Sequence, residues 1–253
     1  MGPAIDTSNL TRDFGTFRAV DQLSLRVERG CFYGFLGPNG AGKSTTIKML
    51  TGLLAPTSGA MRILDEDMSD PARALAVKRR IGVVPENLAL FDNLTAREHL
   101  TFIGRMYLLP PDTIRTRCDE LLAMMDLAGE DKKLTLEFSH GMKKKLALAA
   151  ALIPNPDLLF LDEPFEGVDA IASRTLRDTL KHAVDRGATI FLTSHVLEIV
   201  ERLCTDVGII ANGRLVHQGT MAELRKTGSL EDKFLEVVGS HDTGAQTLSW
   251  LEA

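Results

Sequence analysis

The chain has 253 residues, 44% hydrophobic and 25% charged, proportions that suit a globular protein with one sizeable α/β domain or a core carrying an inserted subdomain. Its formal charge of −5 supplies no global positive field for nucleic acid. No stretch reaches the about 18 apolar residues that span a bilayer, and the opening "MGPAIDTSNLTRDFG" lacks the apolar core of a secretory signal.

In chain order, "LSLRV" (23–27) alternates apolar and polar residues, which predicts a half-buried strand. "CFYGFLG" (31–37) is almost continuously apolar and predicts a strand buried on both faces. A turn and an apolar-periodic helix follow in "PNGAGKSTTIKMLTGLL", then a short strand in "RIGVVPE" (80–86) that proline stops. From about 93 to 153 three helical segments succeed one another with no strand between them. This reads as an all-helical insertion in an alternating α/β chain.

Alternation resumes with the strand "DLLFLDEP", a helix around "IASRTLRDTLKHAVD", the strand "ATIFLTSH" and the helix "VLEIVERLC". Asn212-Gly213 predicts a two-residue hairpin within "DVGIIANGRLVHQG". Two short helical stretches and a weakly ordered tail, "SHDTGAQTLSWLEA", complete the chain. Cys31, Cys118 and Cys204 are scattered, odd in number and without metal-ligand spacing. They read as packing thiols of a reducing compartment.

"GPNGAGKS" (37–44) fits G-x-x-x-x-G-K-[ST], with the required strand before it and helix after it. Gly37, Gly40 and Gly42 let the backbone curl with its N–H groups inward, where side chains would block a phosphate. Pro38, Asn39, Ala41 and Thr45 complete the binding run, and the helix start adds positive potential. Lys43 is expected to reach the β- and γ-phosphates and the Ser44 hydroxyl to ligate Mg²⁺. Asp162 and Glu163 end the apolar strand "LLFLDEP", which puts them on the carboxyl edge of a parallel sheet beside the phosphate loop. Asp162 is the expected Mg²⁺ holder and Glu163 the group that polarises an attacking water. His195, after "ATIFLTS", is a third polar group at that edge and a candidate γ-phosphate donor.

Over about residues 5 to 225 the order and spacing of these motifs resembles the ATP-binding cassette (ABC) ATPases. "GPNGAGKST" matches their first phosphate motif, "LLFLDEP" the second and "TSH" their histidine switch. "EGVD" resembles the loop after the second motif, with Asp169 at its aspartate. "FSHGM" occupies the place of the signature, commonly Leu-Ser-Gly-Gly-Gln. The resemblance implies a P-loop NTPase fold, α/β with a mainly parallel RecA-like core, an N-terminal antiparallel β subdomain and an inserted helical subdomain at about 87–154. The ATPase domain would cover 1–225, followed by a C-terminal helical extension and tail at 226–253.

The family works as a head-to-tail dimer. By resemblance, Ser139, Gly141 and Asp169 would contact ATP held by a second ATPase subunit, identical or not. A helix start with free N–H groups suits that contact. His140 replaces the first signature glycine and Met142 the glutamine. Glu86 stands where many relatives carry a glutamine that senses Mg²⁺. Phe14, in "DFG", stands at the adenine-stacking aromatic, with Phe17 as the alternate. Lys143, Lys144 and Lys145 follow the signature at a helix N-terminus, where cations are electrostatically misplaced. They are expected to add positive potential near the partner's triphosphate.

The function implied is that of an ATP-hydrolysing subunit, peripheral on the cytoplasmic face of the membrane. It would drive a separate transmembrane permease of the ABC-2 export type, with ATP and Mg²⁺ as cofactors and no nucleic-acid partner. The alternative is a soluble ABC ATPase of translation or DNA repair. Translation-type members usually carry two cassettes per chain and repair-type members a long coiled coil before the signature. Here there is one cassette, and the interval from Lys43 to Ser139 holds no heptads. A GTPase would need an Asn-Lys-x-Asp run, which does not occur, and a kinase leaves "FSHGM" unexplained.

Overall fold

A computed structural model describes residues 2–130 and 132–239. The "SHDTGAQTLSWLEA" tail lies outside the described residues. The chain opens with β1 (Ile5–Phe14), β2 (Phe17–Leu23) and β3 (Arg26–Val27), then enters β4 (Phe32–Leu36) and α1 (Lys43–Leu50). β5 (Ser58–Ile63), β6 (Glu66–Asp67), α2 (Pro71–Lys78) and β7 (Ile81–Val84) follow. Next come α3 (Ala96–Met106), α4 (Pro111–Met124) and α5 (His140–Leu152), without an intervening strand. The rest is β8 (Leu158–Asp162), α6 (Ala170–Asp185), β9 (Thr189–Ser194), α7 (Leu197–Leu203), β10 (Asp206–Ala211), β11 (Arg214–Thr220), α8 (Met221–Thr227) and α9 (Leu230–Val238).

Two sheets result. β1, β2, β3, β5 and β6 form an antiparallel sheet, and the second runs β11-β10-β4-β9-β8-β7. In the second sheet all neighbours from β10 to β7 are parallel and only the edge strand β11 is antiparallel. The period-2 geometry of its strands separates two cores. On one face Tyr33, Phe35, Phe160 and Phe191 pack with residues of the antiparallel sheet and α1. Phe191 lies 5.6, 5.2 and 5.7 Å from the rings of Tyr33, Phe35 and Phe160. On the other face Phe32, Leu36, Leu159, Leu161, Ile190 and Leu192 pack with the helical layer. A strand with cores on both sides must be apolar throughout, which is why β4, β8 and β9 read as continuous runs.

The helical insertion is present. α3 begins at a capping box in which Thr95 Oγ1 accepts from Glu98 N–H and Glu98 accepts from Thr95 N–H. Its last turn returns to the sheet through Tyr107 Oη, which donates to Ile81 O at 3.2 Å. Asn212 and Gly213 adopt φ of 50° and 77°, as the hairpin between β10 and β11 requires.

The structure departs from the sequence reading in two places. "LSLRV" is not one strand: β2 stops at Leu23, with Gln22 at φ 50°, and Leu25 N–H donates to Thr7 Oγ1 before β3 forms. The sequence boundary at 225 falls inside α8, and Leu230 of α9 is fully buried in the same core as β4 and β9. The described part of the C-terminal extension therefore packs on the domain. Leu230 N–H also bonds to Glu201 Oε1 at 3.0 Å.

All three cysteines are buried and unpaired, and burial pushes the Cys31 thiol up to about 12. α5 crosses β7 at Gly82, where an added Cβ would collide with the Ala151 carbonyl oxygen and approach Leu159 Cδ2 at 2.8 Å. Gly82→Ala is expected to lower unfolding free energy by about 1–3 kcal/mol, the usual cost of overpacking, as read from a urea midpoint.

Candidate nucleotide site

Four parallel neighbours, β4, β9, β8 and β7, end at one edge of the sheet, and each is followed by residues the sequence singled out. After β4 the loop from Gly37 to Gly42 curls with Gly40 at φ 80° and Gly42 at φ 106°. A Cβ on Gly42 would also approach Ala19 O at 2.5 Å, so the position excludes side chains on two grounds. Gly42 is the N-cap of α1 and supplies no side-chain cap, leaving the first-turn N–H groups directed at the loop. Lys43 is 7% exposed, and its ammonium donates to Gly37 O at 2.8 Å and Pro38 O at 3.3 Å. Gly37 and Ala41 are buried supports of the turn, whereas Pro38 and Asn39 are exposed.

Asp162 and Glu163 are 4% and 7% exposed at the end of β8. Pairing places Asp162 opposite Thr193 of β9. The Thr193 hydroxyl donates to Asp162 Oδ1 at 2.6 Å and accepts from Glu163 N–H at 3.1 Å. One buried hydroxyl thus joins both carboxylate residues. Glu163 has φ 48°, in the left-handed region, which turns its side chain away from the strand alternation. Its carboxylate lies 3.1 Å from His195 Nδ1 and 3.7 Å from Lys43 Nζ.

A cleft of about 430 Å³ lies over this edge. Asn39, Gly40, Gly42, Lys43, Ser44, Thr45, Glu86, Glu163 and His195 line it, together with Phe17, Ala19 and Glu166. Asp162 sits behind this lining, held by Thr193. Of the two aromatics, Phe17 lines the cleft and Phe14 does not. The two residues pair across the β1–β2 turn, and Arg12 covers Phe14 with its guanidinium 4.6 Å from the ring centre.

Ser139, Gly141 and Asp169 do not line the cleft. They gather where α5 and α6 begin. Ser139 caps α5 by accepting from Met142 N–H at 3.2 Å, and Asp169 caps α6 by accepting from Ile171 and Ala172 N–H. Gly141 packs against these residues, since a Cβ there would meet Ala172 Cβ and Asp169 Oδ2 at 3.3 Å. His140 folds across Gly167, with Nε2 3.3 Å from Glu166 O.

The three lysines differ from the expectation of free positive potential. Lys144 and Lys145 are 3% and 6% exposed. Lys144 Nζ donates to Glu163 O at 2.9 Å, Lys145 lies 3.8 Å from Asp126, and Lys143 lies 3.7 Å from Asp92. The helix turns Lys144 and Lys145 inward, while Lys143 stays half-buried at the surface. Burial lowers the Lys144 pKa, opposed by the fields of Glu166, Glu163, Glu86 and Asp162. Thr193 and Glu166 are site residues the sequence reading missed, and Lys144 was expected near a partner's phosphates rather than on Glu163. Thr193 stood next to the recognised strand end, but its double hydrogen bond depends on register with β8.

Replacing Thr193 by valine keeps shape and removes the hydroxyl. The buried Asp162 oxygen and Glu163 N–H then lose a partner. A loss of about 1–3 kcal/mol is expected, measured by denaturant titration, and the serine variant should recover most of it.

The profile of the family described as "ABC transporter" matches residues 20–166. The bacitracin transport ATP-binding protein BcrA of Bacillus licheniformis is 40% identical over 237 residues, covering 93% of this chain and 75% of that protein. The daunorubicin/doxorubicin resistance ATP-binding protein DrrA of Streptomyces peucetius is 39% identical over 225 residues, covering 88% and 67%. A solved structure described as the ATP-binding subunit of an ABC transporter is 30% identical with a TM-score of 0.85, covering 92% of this chain and 99% of that one. The dimeric post-hydrolysis structure of the cassette MJ0796, bound to ADP and Pi, is 23% identical with a TM-score of 0.78 over 86% of this chain and 98% of that one, and shares the fold. With the phosphate loop, the carboxylate pair and the matched span in agreement, the chain belongs to the ABC transporter family of ATP-binding proteins and is an ABC ATPase.

Proposed function

We propose that the chain is the ATPase subunit of an exporter whose membrane-spanning part is a separate permease, and that two cassettes close head to tail around two ATP molecules. One observation carries this reading: the expected nucleotide residues fall into two separate groups. The phosphate loop, Glu163 and His195 share one cleft, while Ser139, Gly141 and Asp169 lie together outside it. Each group is half of a composite site, and antiparallel apposition of two copies would complete both.

In the cleft, the loop N–H groups and Lys43 would take the β- and γ-phosphates, and the exposed ring of Phe17 would stack on the base. Ser44 and Glu86, with Asp162 behind them through water, would hold Mg²⁺. No group of three or more His, Cys, Asp or Glu side chains among the described residues could cage a metal. The ion would be held mainly by phosphate and water, and its charge would offset that of the phosphates. Glu163, buried beside His195, would accept the proton of the attacking water, and His195 would donate to the γ-phosphate. Ser139 and Gly141 of the opposing copy would then meet the same γ-phosphate.

No helix among the described residues is long and apolar enough to cross a membrane; the spanning part in this reading is the separate permease. The helical insertion offers it a surface. Phe91, Phe102, Met106 and Leu108 are 45%, 40%, 66% and 76% exposed beyond the end of β7. Relatives named for bacitracin transport, drug resistance and Nod factor export support export as the direction. A cassette acting in translation or DNA repair has no comparable support.

Glu163→Gln is expected to keep ATP binding and to lower turnover at least about a hundred-fold. It should also accumulate an ATP-bound dimer on size-exclusion chromatography; full turnover in that variant would remove the assignment. Phe17→Ala is expected to weaken ATP binding about fivefold or more, as loss of base stacking does. Phe14→Ala should change it less than about twofold, and equilibrium titration with a fluorescent ATP analogue separates the two.

A further inference from the structure

Lys144 has a contact that none of the roles above requires. It is the fifth residue of α5, the helix that Ser139 caps, and its side chain is 3% exposed. The ammonium donates to the backbone oxygen of Glu163 at 2.9 Å. Glu163 is a non-glycine residue with φ 48°, a conformation that costs energy and persists only where surrounding groups over-determine it.

Those groups can be named. Thr193 Oγ1 takes the Glu163 N–H at 3.1 Å and Lys144 takes its carbonyl, so the peptide units on both sides of the strained Cα are held. The carboxylate is then left to His195 and Lys43. A buried ammonium is an expensive way to satisfy one carbonyl. Its cost is offset by the surrounding carboxylates, chiefly Glu166 and Glu163. An apolar residue would fill the volume without that cost, so packing alone does not account for the charge.

We propose that Lys144 is a positioning residue for ATP hydrolysis: it clamps the Glu163 carbonyl, keeps the left-handed turn that aims the carboxylate into the cleft, and ties that aim to the orientation of α5. The inference rests on the reading of Glu163 as the water-polarising group. Because α5 carries Ser139 at its start, a movement of the signature helix is transmitted to the same subunit's carboxylate through one hydrogen bond. Without it, Glu163 can relax toward ordinary φ and withdraw from the water. Misplacement of a reacting group on the scale of 1 Å can cost about a hundred-fold in rate.

The test uses the full chain with Mg²⁺–ATP and steady-state kinetics. Lys144→Met is expected to lower kcat about 10- to 100-fold while KM for ATP and affinity for a fluorescent ATP analogue stay within about twofold. Lys144→Arg, which keeps a charged donor, is expected to recover about fivefold or more of the loss. In a Glu163→Gln background Lys144→Met should cause no further loss, because no carboxylate remains to aim. Should Lys144→Met not yield folded protein, Lys144→Gln, which falls short of the carbonyl, carries the same expectation. Unchanged kcat in these variants, or an equal fold-loss in the Glu163→Gln background, overturns the role of Lys144. Turnover retained by Glu163→Gln alone instead overturns the reading of Glu163, so the two failures are distinguishable.

Discussion

The parallel pairing of β9 between β4 and β8 is the constraint on which the cleft depends. It sets Leu36 beside Ser194 and Asp162 beside Thr193, so the chain leaves all three strands at one level. Backbone hydrogen bonds hold this alignment, and a one-residue slip would reverse every side chain between the two cores. Tyr33, Phe35, Phe160 and Phe191 on one face, against Leu36, Leu161 and Leu192 on the other, make such a slip costly. Packing far from the phosphate loop therefore sets the distance between the loop and the carboxylates.

Around that frame the buried polar groups form one connected set. Thr193 joins Asp162 to Glu163, Glu163 reaches Lys43 and His195, and Lys144 closes the set from the helical layer. Nearly every member is shielded from water, where charge–charge interactions are strengthened and an orphaned partner is expensive. Such a set is rigid while complete. His195 differs, with a side chain 43% exposed, which leaves it at the opening where a ligand and the water would meet it.

The signature region obeys a different logic. Its residues cap and pack the starts of α5 and α6, and the departures from the usual family pattern have visible local consequences. His140 occupies the space over Gly167 and meets the Glu166 carbonyl, so the signature start and the loop after the carboxylates brace each other within one subunit. In the lysine run that follows, Lys144 alone joins this brace. Helical geometry directs Lys144 to Glu163 and Lys145 toward Asp126, which is why two of three consecutive cations can be buried.

Much of the fold and site is legible in the sequence alone. The apolar runs of β4, β8 and β9 follow from burial on both faces. Gly40 and Gly42 follow from a loop that tolerates no side chains, and Asn212-Gly213 from a turn that needs positive φ. The helical insertion shows itself by a change of period. These signals are local, since each is carried by spacing within a dozen residues. The antiparallel strands β1 and β5 left little such signal, because their residues alternate imperfectly and the pairing is interrupted by a register shift after Ser8. Which aromatic lines the cleft, what Thr193 bonds and where Lys144 points were decided only by tertiary structure. The physical reason is the same in each case: these contacts join residues brought together by sheet register and helix packing, and the identity of a side chain says what it can bond but not which distant atom the fold will place before it.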